Sequence, residues 1–224
     1  MDLRALIFDV DGTLAETEEA HRQAFNETFA AEGIDWHWSP DTYRELLRTT
    51  GGKERMRAHR DVVGFGPSDA DIPELHKRKT ARYGQIIDAG GVPLRPGVEE
   101  LIRQARAAGI RLAIATTTNR PNVDRLVEAT LGVPASEIFD VIAAGDEVAA
   151  KKPEPDVYLL ALERLGLPPE TALAFEDSLP GLASAKAAGL KVVLTPSAYT
   201  TGEDFTGADW LMPNLCCLSR LIGV

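Results

Sequence analysis

Short apolar segments alternate with helical segments along the chain from Pro93 onward. Strands separated by helices of about 10–15 residues are typical of a parallel, doubly wound sheet. The sequence therefore predicts an α/β fold for this part of the chain. The predicted strands are 111–116, 141–144, 172–175, 191–194 and 210–212, and the predicted helices are 96–108, 121–131, 156–165 and 179–188.

The chain opens on a further apolar run, residues 5–8, which is long enough for one buried strand of the same sheet. Residues 15–92 contain no convincing strand pattern, but apolar residues recur there at helical spacing. We interpret residues 15–92 as an all-helical domain inserted after the first strand, and residues 1–14 with 93–224 as the core. The predicted helices of the inserted domain are 16–33, 40–48, 54–63 and 71–88, with a break at 49–53.

The overall charge and composition limit the possible partners. A formal net charge of −10 argues against nucleic acid or an anionic membrane as the main partner, although it leaves a phosphorylated substrate open. No stretch approaches the roughly 20 apolar residues that cross a bilayer. Because a strand is predicted within a few residues of the first, we expect no secretory signal. The neighbours Cys216 and Cys217 are the only cysteines, so we expect no disulfide framework. We expect a cytoplasmic monomer.

The first predicted strand ends in two carboxylates, Asp9 and Asp11, which the turn residues Gly12 and Thr13 follow. Unpaired acids at the end of a buried strand are costly, so a compensating charge is required. A divalent cation held by carboxylate oxygens is the simplest candidate. The alternative is an acidic turn that caps the next helix.

Three further strand ends are polar, and ligands of open α/β sheets bind beyond the carboxyl ends of the strands. Acids facing other acids favour magnesium, a hydroxyl-rich helix start can bind phosphate, and a lysine can offset the remaining negative charge. Taken alone, these segments could be a helix cap, a solvated turn and an acidic loop. Together they favour a phosphate site. They are residues 116–119, the pair Lys151 and Lys152, and residues 176–178.

This set of segments resembles the motifs of the haloacid dehalogenase superfamily, which lie on a Rossmann-like core. Residues 9–13, Asp-Val-Asp-Gly-Thr, match the first motif and Thr116 matches the second. Lys152 matches the third motif, and Glu176 with Asp177 matches the fourth. The resemblance spans essentially the whole chain.

The resemblance implies phosphoryl chemistry through a covalent intermediate. Asp9 would be the nucleophile that accepts the phosphoryl group. Asp11 would be the general acid and base that protonates the leaving oxygen and then activates water. Lys152 would steady Asp9, while Thr116 and the amide of Thr117 would bind phosphate. The superfamily's dehalogenases lack an acid at the position of Asp11, which favours a phosphatase here.

The resemblance also implies a magnesium ion as cofactor. Its ligands would be Asp9, the backbone carbonyl of Asp11, and Asp177. Glu176 would be a weaker or indirect ligand.

The inserted helical domain resembles the cap of the β-phosphoglucomutase-like subfamily, and such caps exclude water from the reaction. Its basic residues would bind substrate, although residues 77–79 could equally be a solvated helix face and a lone histidine is often a packing residue. The candidate substrate-binding residues are His21, Gly52, Lys53, Arg78 and Lys79 in the cap, with Glu16 and Asn119 on the core side.

Within this subfamily the chain most resembles sugar phosphatases that act on xylulose 1,5-bisphosphate, an inhibitor of Rubisco in the Calvin cycle. Segments 49–55, 76–80 and 115–119 carry that resemblance. It implies a small phosphorylated sugar as the substrate, with basic cap residues on its second phosphate. The predicted function is therefore a magnesium-dependent sugar-phosphate phosphatase that forms an aspartyl-phosphate.

Three alternatives remain open at this point. A β-phosphoglucomutase-type mutase often has an apolar residue where this chain has Thr13, which favours hydrolysis. A phosphatase of broad small metabolites is the second alternative. The third, a non-catalytic binding protein, would be expected to lack Asp9, Asp11 or Lys152, and all of them are present.

Overall fold

A computed structural model describes residues 2–216 of the chain. Its sheet has six strands in the order β3-β2-β1-β4-β5-β6, and every neighbouring pair is parallel. The chain runs outward from β1 through β2 to β3 and then returns to the other side of β1. This arrangement confirms the predicted doubly wound α/β fold. The strands are β1 (Ala5–Phe8), β2 (Arg111–Ala115), β3 (Val141–Ala143), β4 (Ala172–Glu176), β5 (Lys191–Leu194) and β6 (Trp210–Leu211).

The helices follow the predicted pattern with small shifts at their ends. The predicted break at 49–53 is shorter than expected, because Gly52 and Lys53 already belong to a helix. Gly51, with a φ of 97°, makes the turn that precedes it. A short helix at 135–138 was not predicted, since one turn is too short to show periodicity. The helices are α1 (Glu18–Ala31), α2 (Pro40–Leu46), α3 (Gly52–Val63), α4 (Ile72–Asp88), α5 (Val98–Ala107), α6 (Arg120–Leu131), α7 (Ala135–Ile138), α8 (Asp156–Leu165) and α9 (Leu179–Ala187).

Both faces of the sheet are buried, as the continuous apolar strands require. Ala5 and Ile7 of β1 belong to a core cluster that includes side chains of α8 and α9. Leu6 and Phe8 alternate with them, so they point to the other face, and they are equally buried. Phe8 stacks there on Phe175 of β4, with ring centroids 4.5 Å apart. The strand ends are therefore fixed by packing on both sides.

The chain divides into two compact units, one formed by Met1–Glu16 with Pro93–Val224 and the other by Thr17–Val92. The first boundary between the units lies after Glu16, whereas the sequence analysis predicted it after residue 14. We call the first unit the core and the second the helical unit. The helical unit comprises α1 to α4 and contains no strand. Its centre is aromatic, and the largest of its fully buried side chains are Phe25, Phe29, Trp38, Tyr43 and Tyr83.

The structure also bears on the expectations about membrane spans and cysteines. No helix within residues 2–216 is both long and apolar enough to cross a bilayer. Cys216 is an exposed free thiol, and Cys217 lies outside the described residues.

The stability of the core is expected to depend on the central strands. Leu173→Ala in β4 removes a fully buried side chain and should lower the free energy of unfolding by about 2–5 kcal/mol. Leu159→Ala makes the same chemical change at a side chain that is 49% exposed and should stay within about 0.5 kcal/mol of the parent chain. Urea unfolding measures both. Similar losses for the two variants would contradict this view of the core.

Candidate active site

The carboxyl ends of three neighbouring strands bring the first and fourth motifs together. Phe8 of β1 is in register with Ile114 of β2 on one side and with Phe175 of β4 on the other. The residues that follow, Asp9 and Glu176, are therefore side by side. The backbone N–H of Asp9 donates to the carbonyl of Phe175 at 3.0 Å. The sheet register alone thus places acids from two distant motifs at one point.

Lys152 joins these strand ends. Its Nζ donates to Asp9 Oδ1 at 2.6 Å, to Glu176 Oε1 at 2.6 Å and to the carbonyl of Ala115, the last residue of β2, at 2.9 Å. An ammonium group has three donors, and all are used. The lysine is only 5% exposed. The plainer interpretation of this lysine as part of a solvated turn is therefore wrong.

Three buried acids could hold a metal ion. Asp9, Glu176 and Asp177 each offer a carboxylate oxygen, and these atoms lie within 4.8 Å of one another. Carboxylate oxygens are the ligands that Mg²⁺ prefers, so the donor set fits this ion. Glu176 Oε1 already accepts bonds from two donors. This fits the indirect role that the sequence assigned to Glu176 better than direct ligation.

The buried charges act on one another strongly. Burial raises the pKa of Asp9, and so do the negative charges of Glu176 and Asp11; together they outweigh the opposing attraction of Lys152 and bring this pKa to about 7. Burial alone would lower the pKa of Lys152, but the carboxylates of Asp9 and Glu176 raise it above its ordinary value. Lys152 therefore stays charged, while Asp9 needs further positive charge to ionise fully at neutral pH.

Tyr158 is a member of this cluster that the sequence did not reveal. Its hydroxyl donates to Glu176 Oε1 at 2.6 Å, and its ring lies 5.0 Å from Lys152 Nζ. Burial and the charge of Glu176 raise the pKa of Tyr158 well above its ordinary value, so the phenol remains a donor. In the sequence, its position on the apolar face of α8 indicates core packing. The only signal of a further role is that the hydroxyl of a buried tyrosine usually needs a hydrogen-bond partner.

Two glycines allow the backbone to approach the acids closely. A Cβ on Gly12 would lie 2.1 Å from Asp177 Oδ2, and Gly12 has a φ of 81° that disfavours any side chain. A Cβ on Gly181 in α9 would lie 1.9 Å from Glu176 Oε2. The chain therefore packs directly against both carboxylates of the fourth motif.

The second motif follows β2 in the same core. Thr116 is fully buried, and its Oγ1 accepts a bond from the N–H of Thr118 at 3.2 Å. Thr117 is half-buried. The cap of α6 is Asn119, whose side chain accepts a bond from the N–H of Asn122 at 3.0 Å. Capping therefore accounts for Asn119, one of the predicted substrate ligands, and leaves the threonines for another role.

Asp11 and Glu16 lie further along the chain after β1. Asp11 is half-buried, and its negative charge contributes to the raised pKa of Asp9. Glu16 Oε1 pairs with Arg95 at 3.1 Å, and its other oxygen accepts a bond from the N–H of Ala198 at 3.2 Å. Asp11 thus lies within electrostatic reach of Asp9, whereas Glu16 is paired with Arg95 of the core.

The helical unit holds a buried pair formed by His21 and Lys79. Lys79 Nζ lies 2.6 Å from His21 Nδ1, and both side chains are buried. The imidazole stacks on Tyr83 at 3.9 Å between centroids, and the ammonium lies 4.5 Å from the ring of Phe25. Neither residue is on a solvated face, so that plainer interpretation fails for Lys79.

The other basic candidates of the helical unit differ in their partners. Arg78 is half-exposed and pairs with Glu32 and with Glu74, as on an ordinary solvated helix face. Lys53 is half-buried near the start of α3, and no acid of residues 2–216 pairs with it. Gly52 begins the same helix, where a Cβ would lie 2.5 Å from His76 Nε2.

Comparison with known proteins identifies the family of the chain. Residues 3–189 match the sequence model of the haloacid dehalogenase-like hydrolases, and the chain belongs to this family. The resemblance inferred from the sequence motifs is thereby confirmed.

Within this family, the chain is similar to individual proteins named CbbY. The chain is 70% identical over 215 residues to protein CbbY of Rhodobacter capsulatus, an alignment that covers 96% of this chain and 95% of that protein. Its fold is similar to crystal structures of CbbY from Rhodobacter sphaeroides at a TM-score of 0.92 and 54% identity. One structure is a complex with phosphate and covers 96% of each chain. The other, a mutant in complex with xylulose 1,5-bisphosphate, covers 96% of this chain and 95% of that chain.

The raised pKa of Asp9 predicts pH-dependent stabilisation by Mg²⁺. Because the folded-state pKa lies above the ordinary value of 3.8, this group's contribution to stability is full below about pH 4 and is lost as pH rises through about 7. A cation that competes with the proton restores it. Mg²⁺ should therefore raise the melting temperature more at about pH 8 than at about pH 6.

Thermal unfolding with and without Mg²⁺ at each pH measures the effect. The Asp9→Asn variant, which cannot titrate at this position, is the control and should show a smaller difference between the two pH values. Equal Mg²⁺-induced shifts in the parent chain would contradict the assignment of Asp9 to the metal site.

Proposed function

We propose that this protein is a magnesium-dependent sugar-phosphate phosphatase that acts through an aspartyl-phosphate on Asp9, with xylulose 1,5-bisphosphate as its substrate. The observation that carries the proposal is the buried Asp9–Lys152–Glu176 cluster beside Asp177. The bisphosphate complex of the CbbY mutant supports the choice of substrate.

The chemistry follows from the charges of the cluster. Asp9 attacks phosphorus as a carboxylate, so it must first release its proton to solvent water. Lys152 stabilises that carboxylate and faces the negative charge that develops during transfer. When bound, Mg²⁺ supplies further positive charge against the phosphoryl oxygens and lowers the repulsion between two anions. Glu176 and Tyr158 keep the ammonium in place.

Asp11 serves both halves of the reaction in this proposal. It is half-buried on the turn after β1, within electrostatic reach of Asp9. As an acid it protonates the leaving sugar oxygen, and as a base it then accepts a proton from the water that attacks the aspartyl-phosphate. Thr116 and the amide of Thr117 follow the neighbouring strand and bind the phosphoryl oxygens.

We assign binding of the second phosphate to the start of α3. Helix N-termini favour anions because their first N–H groups lack partners within the helix. Lys53 is the second residue of this helix, and no acid of the described chain neutralises it. Gly52, the first residue of this helix, lets the imidazole of His76 pack directly against its backbone. Arg78 is a weaker candidate, since Glu32 and Glu74 already neutralise it.

The nucleophile is tested by Asp9→Asn, which keeps the shape and removes the attacking charge. We expect phosphate release from xylulose 1,5-bisphosphate to fall by about 10⁴-fold or more while the circular dichroism spectrum is unchanged. Asp35→Asn makes the same change at an exposed position and should keep full activity. Retained turnover in Asp9→Asn would reject the covalent scheme.

Formation of glucose 6-phosphate from β-glucose 1-phosphate without free phosphate would instead indicate a mutase.

The second-phosphate site is tested by Lys53→Met. Loss of one charged donor should raise KM for the bisphosphate by about 10-fold and leave KM for sugar monophosphates nearly unchanged. Lys77→Met changes a lysine on α4 that is 80% exposed and serves as the matched control. Equal rises in KM for both substrate classes would place Lys53 away from the second phosphate.

A further inference from the structure

Arg95 is a buried arginine whose guanidinium bonds to three backbone carbonyls, one hydroxyl and one carboxylate of the core. Nη1 donates to the carbonyls of Gly12 and Thr195, the latter at 2.8 Å, and to the hydroxyl of Thr195 at 3.2 Å. Nη2 donates to the carbonyl of Pro196 at 2.7 Å, and Nε pairs with Glu16 at 3.1 Å. One guanidinium therefore holds the turn after β1 and the segment after β5 together.

Those two segments are the ones that enclose Asp177. Gly12 packs directly on its carboxylate, because a Cβ there would lie 2.1 Å from Oδ2. In the segment after β5, the hydroxyl of Thr200 donates to the Asp177 carbonyl at 2.7 Å and accepts a bond from the N–H of Ser197 at 2.9 Å. A change in the spacing of the two segments would therefore move Asp177.

Stability alone does not explain a charged group at this place. Arg95 is 9% exposed, and burying a guanidinium costs free energy that an apolar side chain of similar size would not. The guanidinium fork has one property that an apolar or ammonium side chain lacks, namely several donors in a fixed plane. Its three carbonyl partners use that property, while Glu16 compensates the charge.

We propose that Arg95 is a positioning residue for the metal-binding acids, which rests on the proposed function of the site. By fixing the carbonyl of Gly12, the guanidinium fixes the turn that carries Asp11 and the close approach of Gly12 to Asp177. Glu16, which the sequence suggested as a substrate ligand, is the counter-ion of Arg95. The arginine touches neither metal nor substrate and acts through the backbone.

Direct metal binding tests this role without relying on turnover. Mn²⁺ is titrated into the full chain and free Mn²⁺ is followed by electron paramagnetic resonance. Arg95→Lys keeps the charge and loses the fork, and we expect its Kd for Mn²⁺ to rise by roughly 10-fold or more, with kcat lowered and no matching rise in KM at saturating metal. Arg103→Lys makes the same change at an exposed arginine of α5 and should bind Mn²⁺ like the parent.

A folded Arg95→Lys chain with the parent's Kd for Mn²⁺ would overturn the positioning role and leave the phosphatase proposal standing. A parent chain that neither binds Mn²⁺ nor releases phosphate would overturn both. Glu16→Gln decides the matter if Arg95→Lys fails to fold, because it keeps the guanidinium and removes its counter-ion. We expect a smaller rise in Kd for Mn²⁺ in this variant; a rise in KM with unchanged Mn²⁺ affinity would make Glu16 a substrate ligand instead.

Discussion

The ion pair between Lys152 and the acids of two strand ends is the interaction on which the rest of the site depends. The ammonium group of Lys152 pairs with the buried carboxylates of Asp9 and Glu176, and the carboxylate of Asp177 lies beside them. Removal of that charge would leave buried acids without this counter-ion, and an uncompensated buried charge costs several kcal/mol. The parallel sheet makes the pairing possible, because its register brings Asp9 and Glu176 level without any help from the side chains.

Burial makes the same site both reactive and dependent on further charge. A buried carboxylate is a stronger base than an exposed one, which is why the pKa of Asp9 rises to about 7. A protonated acid cannot attack phosphorus, so in the proposed mechanism Asp9 becomes the nucleophile when additional positive charge arrives. The low local dielectric that raises this pKa would also strengthen the attraction between a cation and the phosphoryl group. In that mechanism the activation of Asp9 and the binding of a metal ion both follow from the burial of the site.

The sequence predicted the parts of the site that lie at strand ends, because strands and their register can be inferred from apolar runs and the order of motifs. Asp9, Lys152 and Glu176 meet as that logic requires. Residues that act through tertiary contacts were not predictable in this way. Tyr158 has the spacing of a core residue, and the role of Arg95 depends on segments that are far apart in sequence. Gly181 shows its importance only when α9 lies against Glu176.

The helical unit shows why a count of basic residues is a poor measure of available charge. Sequence reasoning grouped Lys53, Arg78 and Lys79 as phosphate ligands, yet their surroundings differ. Arg78 is neutralised by acids on its own surface, and Lys79 is buried against His21 and aromatic rings. An anion must compete with those partners, so the loss of an existing contact offsets part of what the new contact contributes. Lys53, which has no such competitor in the described chain, is therefore the side chain whose charge a second phosphate can use at the lowest cost.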